Sequence, residues 1–199
     1  MRTPQGWGGG IANPGGTLKV TNSTLTNNKG IGGGIFGKGT VKSSLIAKNI
    51  YGALVDVDVS GTFTSEGFNF IGVENGSTGF TAPTDQKGTG AGPLDPKLDP
   101  TGLTITLTAT DFQAPGVPLC GSPMMDKGFS EGLMTDLRGT GFLRMIDDPN
   151  QRNAGHGADV GAFERQTPCL QTTLTVNNTS DADDANIGDG ICDNNTTTA

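Results

Sequence analysis

The sequence contains few apolar residues and no long apolar run. Hydrophobic residues make up 33% of its 199 positions, and no stretch approaches the roughly 18 consecutive apolar residues that a membrane-spanning helix needs. Residues 1–6 lack the apolar segment of a signal peptide. Because the chain opens in the middle of a repeat, we expect an export signal that lies upstream or has been removed.

Basic residues are also scarce. The 13 Lys and Arg are outnumbered by 20 Asp and Glu, which gives a net charge of -7. A nucleic-acid-binding surface needs a cluster of positive charges to neutralise phosphates. The sequence therefore predicts no nucleic-acid partner and favours an extracellular or cell-surface location.

Cysteine is limited to Cys120, Cys169 and Cys192. None of them forms a CxxC motif or lies near the single histidine, His156, so a zinc site is not expected. One hypothesis is a disulfide between Cys120 and Cys169, with Cys192 unpaired or bonded to another chain. The alternative is three reduced thiols, some of them buried.

A unit that recurs about every twenty residues is the strongest positive feature. Residues 7–11 return as residues 31–36, and residues 20–28 return as residues 41–49. A unit this small cannot bury an apolar face alone, so neighbouring units must stack. Glycine, threonine and asparagine are abundant and disfavour helix. We therefore predict an all-β chain folded as a right-handed parallel β-helix, with helix well below a tenth of its residues.

Strict alternation of apolar and polar residues predicts which side chains face the core. Residues 55–59 alternate valine with aspartate, so the carboxylates are expected on the outer face. Residues 103–109 alternate in the same way and predict a strand. The inward rows are predicted to contain Leu18, Val20, Leu25, Val41, Leu45, Val55, Val57, Val59, Leu103, Ile105 and Leu107.

The chain divides into three regions by composition. Residues 1–110 are predicted to form the coils, with a long loop at about 73–101. Residues 111–165 are predicted to form an irregular cap with short strands near Leu119, 142–145 and 160–163. Residues 166–199 form a linker, a strand at 172–176 and an acidic tail, which is a candidate inter-subunit element.

Several motifs resemble those of a known family. In order along the chain they are Ser44–Asn49, Asp58–Gly72, Asp95–Leu98, Gly121–Gly128, Thr135–Gly139 and Ala158–Glu164. Together they resemble the bacterial right-handed parallel β-helix proteins of the choice-of-anchor Q type over about residues 8–165. The resemblance implies a secreted or cell-surface β-helix and carries over no catalytic residue.

The C-terminal region is similar to a different family. Residues 174–181 and 188–193 resemble the opening of CSLREA-type repeats, in which the first strand begins a β-helix. The cysteine-bearing motif that gives those repeats their name does not follow. The resemblance implies that the end of one β-helix is followed by the beginning of another.

Two groups of charged residues are candidates for catalysis. Asp56 and Asp58 share a face at i, i+2 spacing, and paired carboxylates hydrolyse glycosides when suitably separated. Outward acids on a solenoid are more often solvated charges, so no catalytic residue is assigned. The second group, in the cap, consists of Arg138, Arg144 and Arg152 near Asp136, Asp147 and Asp148.

Within the cap, Asp136 and Arg138 are predicted to form a hydrogen-bonded ion pair that holds the cap together. His156, between two glycines and without a nucleophile motif, is expected to be a turn residue.

The acidic tail contains a calcium candidate. Calcium binds six to eight oxygens, and Asp181, Asp183, Asp184, Asn186 and Asp189 crowd oxygen ligands into nine positions. Their spacing departs from the EF-hand pattern, and a flexible acidic turn is the alternative. No other cofactor is expected.

Glycosylation sequons are frequent. They begin at Asn22, Asn75, Asn177, Asn178, Asn194 and Asn195. Such sites arise by chance in a chain rich in asparagine and threonine, so they are candidates for modification.

The sequence favours a non-enzymatic, secreted or cell-surface structural or adhesive module. One hypothesis is that it self-associates head to tail into a filament through its C-terminal strand, because a β-helix has open strand edges at its ends. The alternative is that the chain is a fragment with a disordered tail. The alternatives are a carbohydrate-active lyase or hydrolase, and a glycan-binding module that uses Trp7 and threonine-rich faces to contact surface glycans.

Overall fold

The structure is a computed structural model that describes residues 9–30, 33–50, 57–75, 77–101, 103–107, 110–114, 116–169, 175–176 and 191–192. All elements of regular secondary structure in these residues are β-strands, so the all-β prediction is confirmed for them. The strands are β1 (Ile11–Asn13), β2 (Lys19–Thr21), β3 (Thr24–Thr26), β4 (Ile35–Lys42), β5 (Leu45–Ala47), β6 (Val59–Ser65), β7 (Phe70–Ile71), β8 (Ser77–Thr78), β9 (Gln86–Lys87), β10 (Leu103–Leu107), β11 (Thr110–Ala114), β12 (Thr175–Val176) and β13 (Ile191–Cys192).

Two parallel sheets run through residues 11–87. In the first sheet β1 and β2 both pair with β4, which pairs with β6, which pairs with β8. In the second sheet the order is β3, β5, β7, β9. We call each set of strands at one level a layer, so that β1, β2 and β3 form the first layer and β8 and β9 the fourth.

The main apolar core consists of side chains from both sheets. It contains Val20, Leu25, Ile35, Val41, Ile46, Val59, Phe63, Ile71 and Phe80. Side chains alternate along a strand, so one inward residue from each strand stacks on its equivalent in the next layer. Val20 lies opposite Val41, and Leu25 lies opposite Ile46.

The predicted inward row is confirmed at Val20, Leu25, Val41 and Val59, and Leu18 packs against this core while half-buried. Leu45 is buried but faces the other way, into a second core with Ala47, Phe70, Met124 and Val160. The inward position of β5 belongs to Ile46. The error has a physical cause: β5 is covered on both faces, and three consecutive apolar residues give no alternation from which to choose a face.

The valine–aspartate alternation was interpreted wrongly at Asp58. Asp58 is 1% exposed, whereas Val57 is only half-buried. The strand begins at Val59, so the alternation rule does not apply to the residues before it. Val55 and Asp56 lie outside the described residues, as do the side chains of Leu103, Ile105 and Leu107.

The long loop predicted at about 73–101 is wrong in part, because it contains β8 and β9. These strands extend the two sheets by one layer. Each has only two residues, which is too short to produce an alternating pattern. Phe80, between them, is fully buried against Phe63 with ring centroids 5.6 Å apart, so tertiary packing holds the segment in register.

The strand predicted at 103–109 is present as β10. It pairs with β11 in a separate two-stranded antiparallel sheet. The prediction of irregular structure is therefore wrong for residues 111–114, which lie in β11. The other short strands predicted in the cap are reduced to single bridges, between Leu98 and Pro118, Gly128 and Ala158, and Thr135 and Leu143. In the cap, polar side chains accept hydrogen bonds from many of the backbone amides, and this prevents longer ladders of strand pairing.

The chain divides into two compact units, Met1–Pro168 and Cys169–Ala199. In the second unit β12 pairs in parallel with β13, with Thr175 opposite Ile191. The strand predicted at 172–176 is described only over its last two residues.

Candidate functional site

A ladder of polar side chains connects the layers at one corner between the two sheets. The amide of Ser23 donates to Ser44 Oγ at 3.2 Å, and that of Ser44 donates to Asn69 Oδ1 at 3.1 Å. The amide of Asn69 donates to Asp85 Oδ1 at 3.1 Å. Each layer thus supplies one side-chain acceptor to the corner backbone of the layer before it.

A second ladder lies at another corner. The amide of Asn28 donates to Asn49 Oδ1 at 3.0 Å, and the amide of Asn49 donates to Asp58 Oδ1 at 2.9 Å. The other carboxylate oxygen of Asp58 accepts from the amide of Val73 at 2.8 Å. Asp58 therefore acts as a buried acceptor that holds two segments together, and the hypothesis of a solvated outer carboxylate is wrong for it.

Asp58 also lines a cavity of about 160 Å³ with Lys48, Gly72, Leu94 and Asp95. Lys48 Nζ lies 2.9 Å from Asp95 Oδ1, and its hydrogen bond, with one from the Lys97 amide, lowers the pKa of Asp95. Both oxygens of Asp58 already accept hydrogen bonds, so this carboxylate is arranged to bind backbone amides. Asp56, the other member of the predicted pair, lies outside the described residues.

The cap contains the largest buried side chain, that of Arg144. Its Nη1 lies 3.0 Å from Glu164 Oε2. Its Nη2 donates to the backbone oxygens of Asp159 and Gly161, and to Asn22 Oδ1 at 3.0 Å. Because Asn22 follows β2, this guanidinium connects the cap directly to the first layer.

Glu164 and Asp159 surround this guanidinium with acceptors. Glu164 accepts hydrogen bonds from the amides of Ile146 and Asp159, both at 2.9 Å. Burial raises the pKa of Glu164 and of Asp159, and the nearby charge of Arg144 opposes both rises. Burial lowers the pKa of Arg144 in turn. A buried ion pair of this kind is costly to break, because removal of one partner leaves the other charge unpaired.

The predicted ion pair between Asp136 and Arg138 is confirmed, with Arg138 Nε 3.0 Å from Asp136 Oδ2. Asp136 also accepts from the amide of Glu164 at 2.9 Å, so the pair joins two segments of the cap as expected. Arg144 pairs with Glu164 rather than with the nearby aspartates, and Arg152 is exposed.

Asp126 is the centre of a crowded group of acids. Its side chain is 1% exposed and accepts from the amide of Asp148 at 3.1 Å. Burial, with repulsion from Asp159, Asp147 and Asp148, raises the pKa of Asp126 to about 6. This carboxyl group therefore changes charge in mildly acidic solution.

His156 lies in a bend, as expected for a turn residue. Its ring centroid is 4.0 Å from that of Phe129, and its Nε2 is 3.4 Å from Ser130 Oγ. Phe129 in turn contacts Phe68 and the ammonium group of Lys42.

The remaining predicted sites divide between the described and undescribed residues. Cys120 and Cys169 are both disulfide-bonded, whereas the side chain of Cys192 lies outside the description. Asn75 is exposed, but Asn22 is buried, with its side-chain Nδ2 donating to the Ser130 backbone oxygen at 3.0 Å. A glycan on Asn22 would require this contact to break. The remaining sequons (Asn177, Asn178, Asn194, Asn195), Trp7 and the calcium candidates (Asp181, Asp183, Asp184, Asn186, Asp189) lie outside the described residues.

Sequence reasoning missed the partnership of Asn22, Arg144 and Glu164. In the sequence, Asn22 stands out only as the start of a sequon, and Glu164 only as part of a motif that resembles a known family. No local signal identified this partnership, because the alternation of Leu143, Arg144 and Met145 predicts an outward charge, whereas Arg144 is buried and both neighbours are about half exposed. Its partners are 20 and 122 positions away in sequence, so only the fold identifies them.

Comparison of the chain with protein-family models, with curated proteins and with solved structures found no match. Among the described residues, no helix has the length and apolar character needed to cross a membrane. In the same part of the chain, no group of three or more His, Cys, Asp or Glu side chains is arranged to hold a metal ion.

Proposed function

We propose that this chain is a non-enzymatic structural or adhesive module, built as a right-handed parallel β-helix of the choice-of-anchor Q type. In this proposal it acts outside the cell or at the cell surface. It polymerises head to tail, with the C-terminal strand of one copy added to the first layer of the next.

The β-helix reading is supported by the order of the strands. Each layer contributes strands to both parallel sheets, two (β1 and β2) to the first sheet in the first layer and one in each later layer, and layer follows layer in chain order. The polar ladders at two corners repeat from layer to layer, through Ser44 and Asn69 at one and Asn49 and Asp58 at the other. Stacking of this kind is how short repeats bury a continuous core.

The non-enzymatic reading is supported by the contacts of the acids. The carboxylates of Asp58, Asp136, Asp159 and Glu164 are all buried, and each accepts hydrogen bonds from backbone amides of other segments. Such carboxylates connect segments. A catalytic acid or base has to be in reach of a substrate proton.

The observation that carries the filament proposal is the one-sided pairing of the first layer. Among the described strands, β1 and β2 pair only with β4, and β3 pairs only with β5. An unpaired strand edge presents amides and carbonyls to any strand that reaches it. Strand addition supplies backbone hydrogen bonds, and a head-to-tail contact of this type produces an open filament.

Negative-stain electron microscopy and sedimentation of the purified chain over a range of concentrations test this proposal. We expect filaments from the complete chain and no filaments after deletion of residues 170–199. Leu174→Asp in the complete chain should act like the deletion. Thr173→Asp should not, because successive strand residues face opposite sides.

A complete chain that stays monomeric at every concentration would contradict the filament proposal. Filaments that persist in both the deletion variant and Leu174→Asp would contradict the role of the tail strand. Release of reducing ends or unsaturated products from pectin or alginate would instead support the carbohydrate-active alternative.

A further inference from the structure

An apolar surface lies at one end of the cap. Leu133, Met134, Leu137, Leu143 and Met145, which we call the cap patch, are each about half exposed or more, with Met134 79% exposed. Single exposed apolar residues are ordinary, but a group of this size marks an interaction surface. In a chain with so few apolar residues, five within thirteen positions require an explanation.

The cap patch is held on a fixed backbone. The amide of Arg144 donates to the Met134 oxygen at 3.1 Å, and Thr135 forms an antiparallel bridge with Leu143. The amide of Leu137 donates to the Ala162 oxygen at 3.0 Å. These contacts fix the backbone of the cap patch before any partner binds, which lowers the entropy cost of binding.

The path of the cap brings this surface to the first layer. Pro123 accepts from the side chain of Gln86 in the fourth layer, and the Phe129 amide donates to Ser43, which precedes β5. Ser130 then accepts from the side chain of Asn22, between β2 and β3. The cap thus crosses the layers in reverse order, and the cap patch follows directly after its contact with the first layer.

Two further contacts keep the cap patch at this level. The amide of Leu133 donates to the Ser130 oxygen at 3.0 Å. The backbone oxygen of Ala162 accepts a hydrogen bond from the Leu137 amide, and the amide of Ala162 donates to Thr24 Oγ1 in β3 at 2.9 Å. The cap patch therefore lies beside the strands of the first layer, which pair on one side only among the described strands.

We infer that the cap patch and the open edge of β3 together form the receiving surface for the C-terminal strand of a second copy of this chain. This inference rests on the proposed filament and names the surface at which one copy receives the next. The backbone of the added strand pairs with the edge, and its apolar face covers the cap patch.

The C-terminal strand has the properties that this surface requires. The open edges belong to parallel sheets, and β12 forms a parallel pair with β13, so this backbone adopts the required geometry. In sequence, Leu174 and Val176 alternate with Thr173 and Thr175, which gives one apolar face. An alternating strand of this kind is what an edge beside an apolar surface binds.

The test uses complete chains with one surface blocked in each. Met134→Asp places a charge on the most exposed residue of the cap patch, and Leu174→Asp blocks the donated strand. Leu119→Asp is the matched control, since Leu119 is an exposed apolar residue of the cap that contacts Lys97 rather than the first layer. Circular dichroism and thermal melting confirm that each variant is folded.

We expect Met134→Asp to raise the concentration needed for assembly at least tenfold, while Leu119→Asp assembles like the unsubstituted chain. Met134→Asp and Leu174→Asp should each be monomeric alone at concentrations where the unsubstituted chain polymerises. Mixed together, they should form a one-to-one dimer in sedimentation velocity. This is expected because each variant retains the surface that the other lacks.

Filaments that form equally well with Met134→Asp would overturn this inference and leave the filament proposal intact. So would a mixture of the two variants that stays monomeric while the unsubstituted chain polymerises. An unsubstituted chain that is monomeric, with residues 1–8 of its own copy covering the edge, would overturn both.

Discussion

In the two parallel sheets, the interactions of one layer are repeated in the next, whereas in the cap almost every interaction occurs once. The layers stack valine on valine and asparagine on asparagine or aspartate, and the ladder of backbone hydrogen bonds connects them. The cap has single bridges and is joined by side chains such as Arg144, Asp136 and Glu164.

The difference shows how each region tolerates change. In a repeating stack, a lost contact has similar contacts above and below it, and the effect stays near one layer. In the cap, one guanidinium donates to acceptors in two separate segments, which are Asn22 after β2 and residues 159–164. Loss of that group should therefore loosen the whole cap.

The largest expected effect follows from Arg144→Met. The change leaves Glu164 buried without its cation, and breaking a buried ion pair costs about 3–5 kcal/mol. Urea unfolding measures the loss. Arg152→Met, at an exposed cap arginine, should change the free energy of unfolding by no more than about 0.5 kcal/mol.

Hydrogen exchange then distinguishes the two regions in the Arg144→Met variant. Amides of the cap, such as those of Asp159 and Ala162, should exchange faster, while those of β4 and β6 stay protected. Equal loss of protection in both regions would mean that the cap and the sheets unfold as one unit, which would contradict the comparison.

A second prediction concerns the glycines of the first sheet. Gly61 has a φ of 131°, and a methyl group on it would collide with the backbone oxygen of Gly37, its partner in the preceding layer. Gly61→Ala therefore combines an unfavourable backbone conformation with a collision, and should cost about 2–3 kcal/mol.

Two other glycines, Gly132 in the cap and Gly15 after β1, separate the effect of the backbone conformation from that of the collision. Gly132 has a φ of 79° with open space around it, so Gly132→Ala tests the backbone conformation alone. Gly15→Ala, which meets no atom within 4 Å, tests neither cause. If Gly61→Ala destabilises the protein no more than Gly132→Ala, the close approach of the layers has no energetic consequence.

The smallest expected effect is the pH-dependent change in stability that follows from Asp126→Asn. Its pKa rises from 3.8 to about 6 on folding, so the folded state binds a proton more tightly than the unfolded state. The stability that this group contributes is complete below pH 4 and is lost as the pH rises to about 6. Asp126→Asn should therefore raise the melting temperature relative to the unsubstituted chain at pH 7, and raise it less at pH 4.

Asp99→Asn is the control, because the contribution of Asp99 to stability should depend on pH in the opposite direction. Hydrogen bonds from Thr101 lower the pKa of Asp99, so its contribution is present at neutral pH and is lost in acid. A melting-temperature difference for Asp126→Asn that does not change between pH 4 and pH 7 would contradict the assignment of the raised pKa.

Some parts of the fold could be read from the sequence because their interactions are local or repeated. The strand content, the recurring unit and the buried positions Val20, Leu25, Val41 and Val59 follow from composition and period. The ion pair of Asp136 with Arg138 was predictable because the two residues are two positions apart. In each case the partners are neighbours in sequence or occupy equivalent positions of adjacent repeats.

Other features were decided by contacts between distant segments. The cap covers the outer face of β5, and this contact makes Leu45 a residue of the second core, although Leu45 was predicted to lie in the inward row. Asp58 became a buried acceptor because the amides of Asn49 and Val73 converge on it. Arg144 found its partners in Glu164 and Asn22, and the cap patch came to lie beside the first layer, because the cap crosses the sheets in reverse order. A sequence period specifies which residues repeat, but only the folded chain determines which surfaces meet, since burial of a charge or an apolar side chain depends on what lies opposite it.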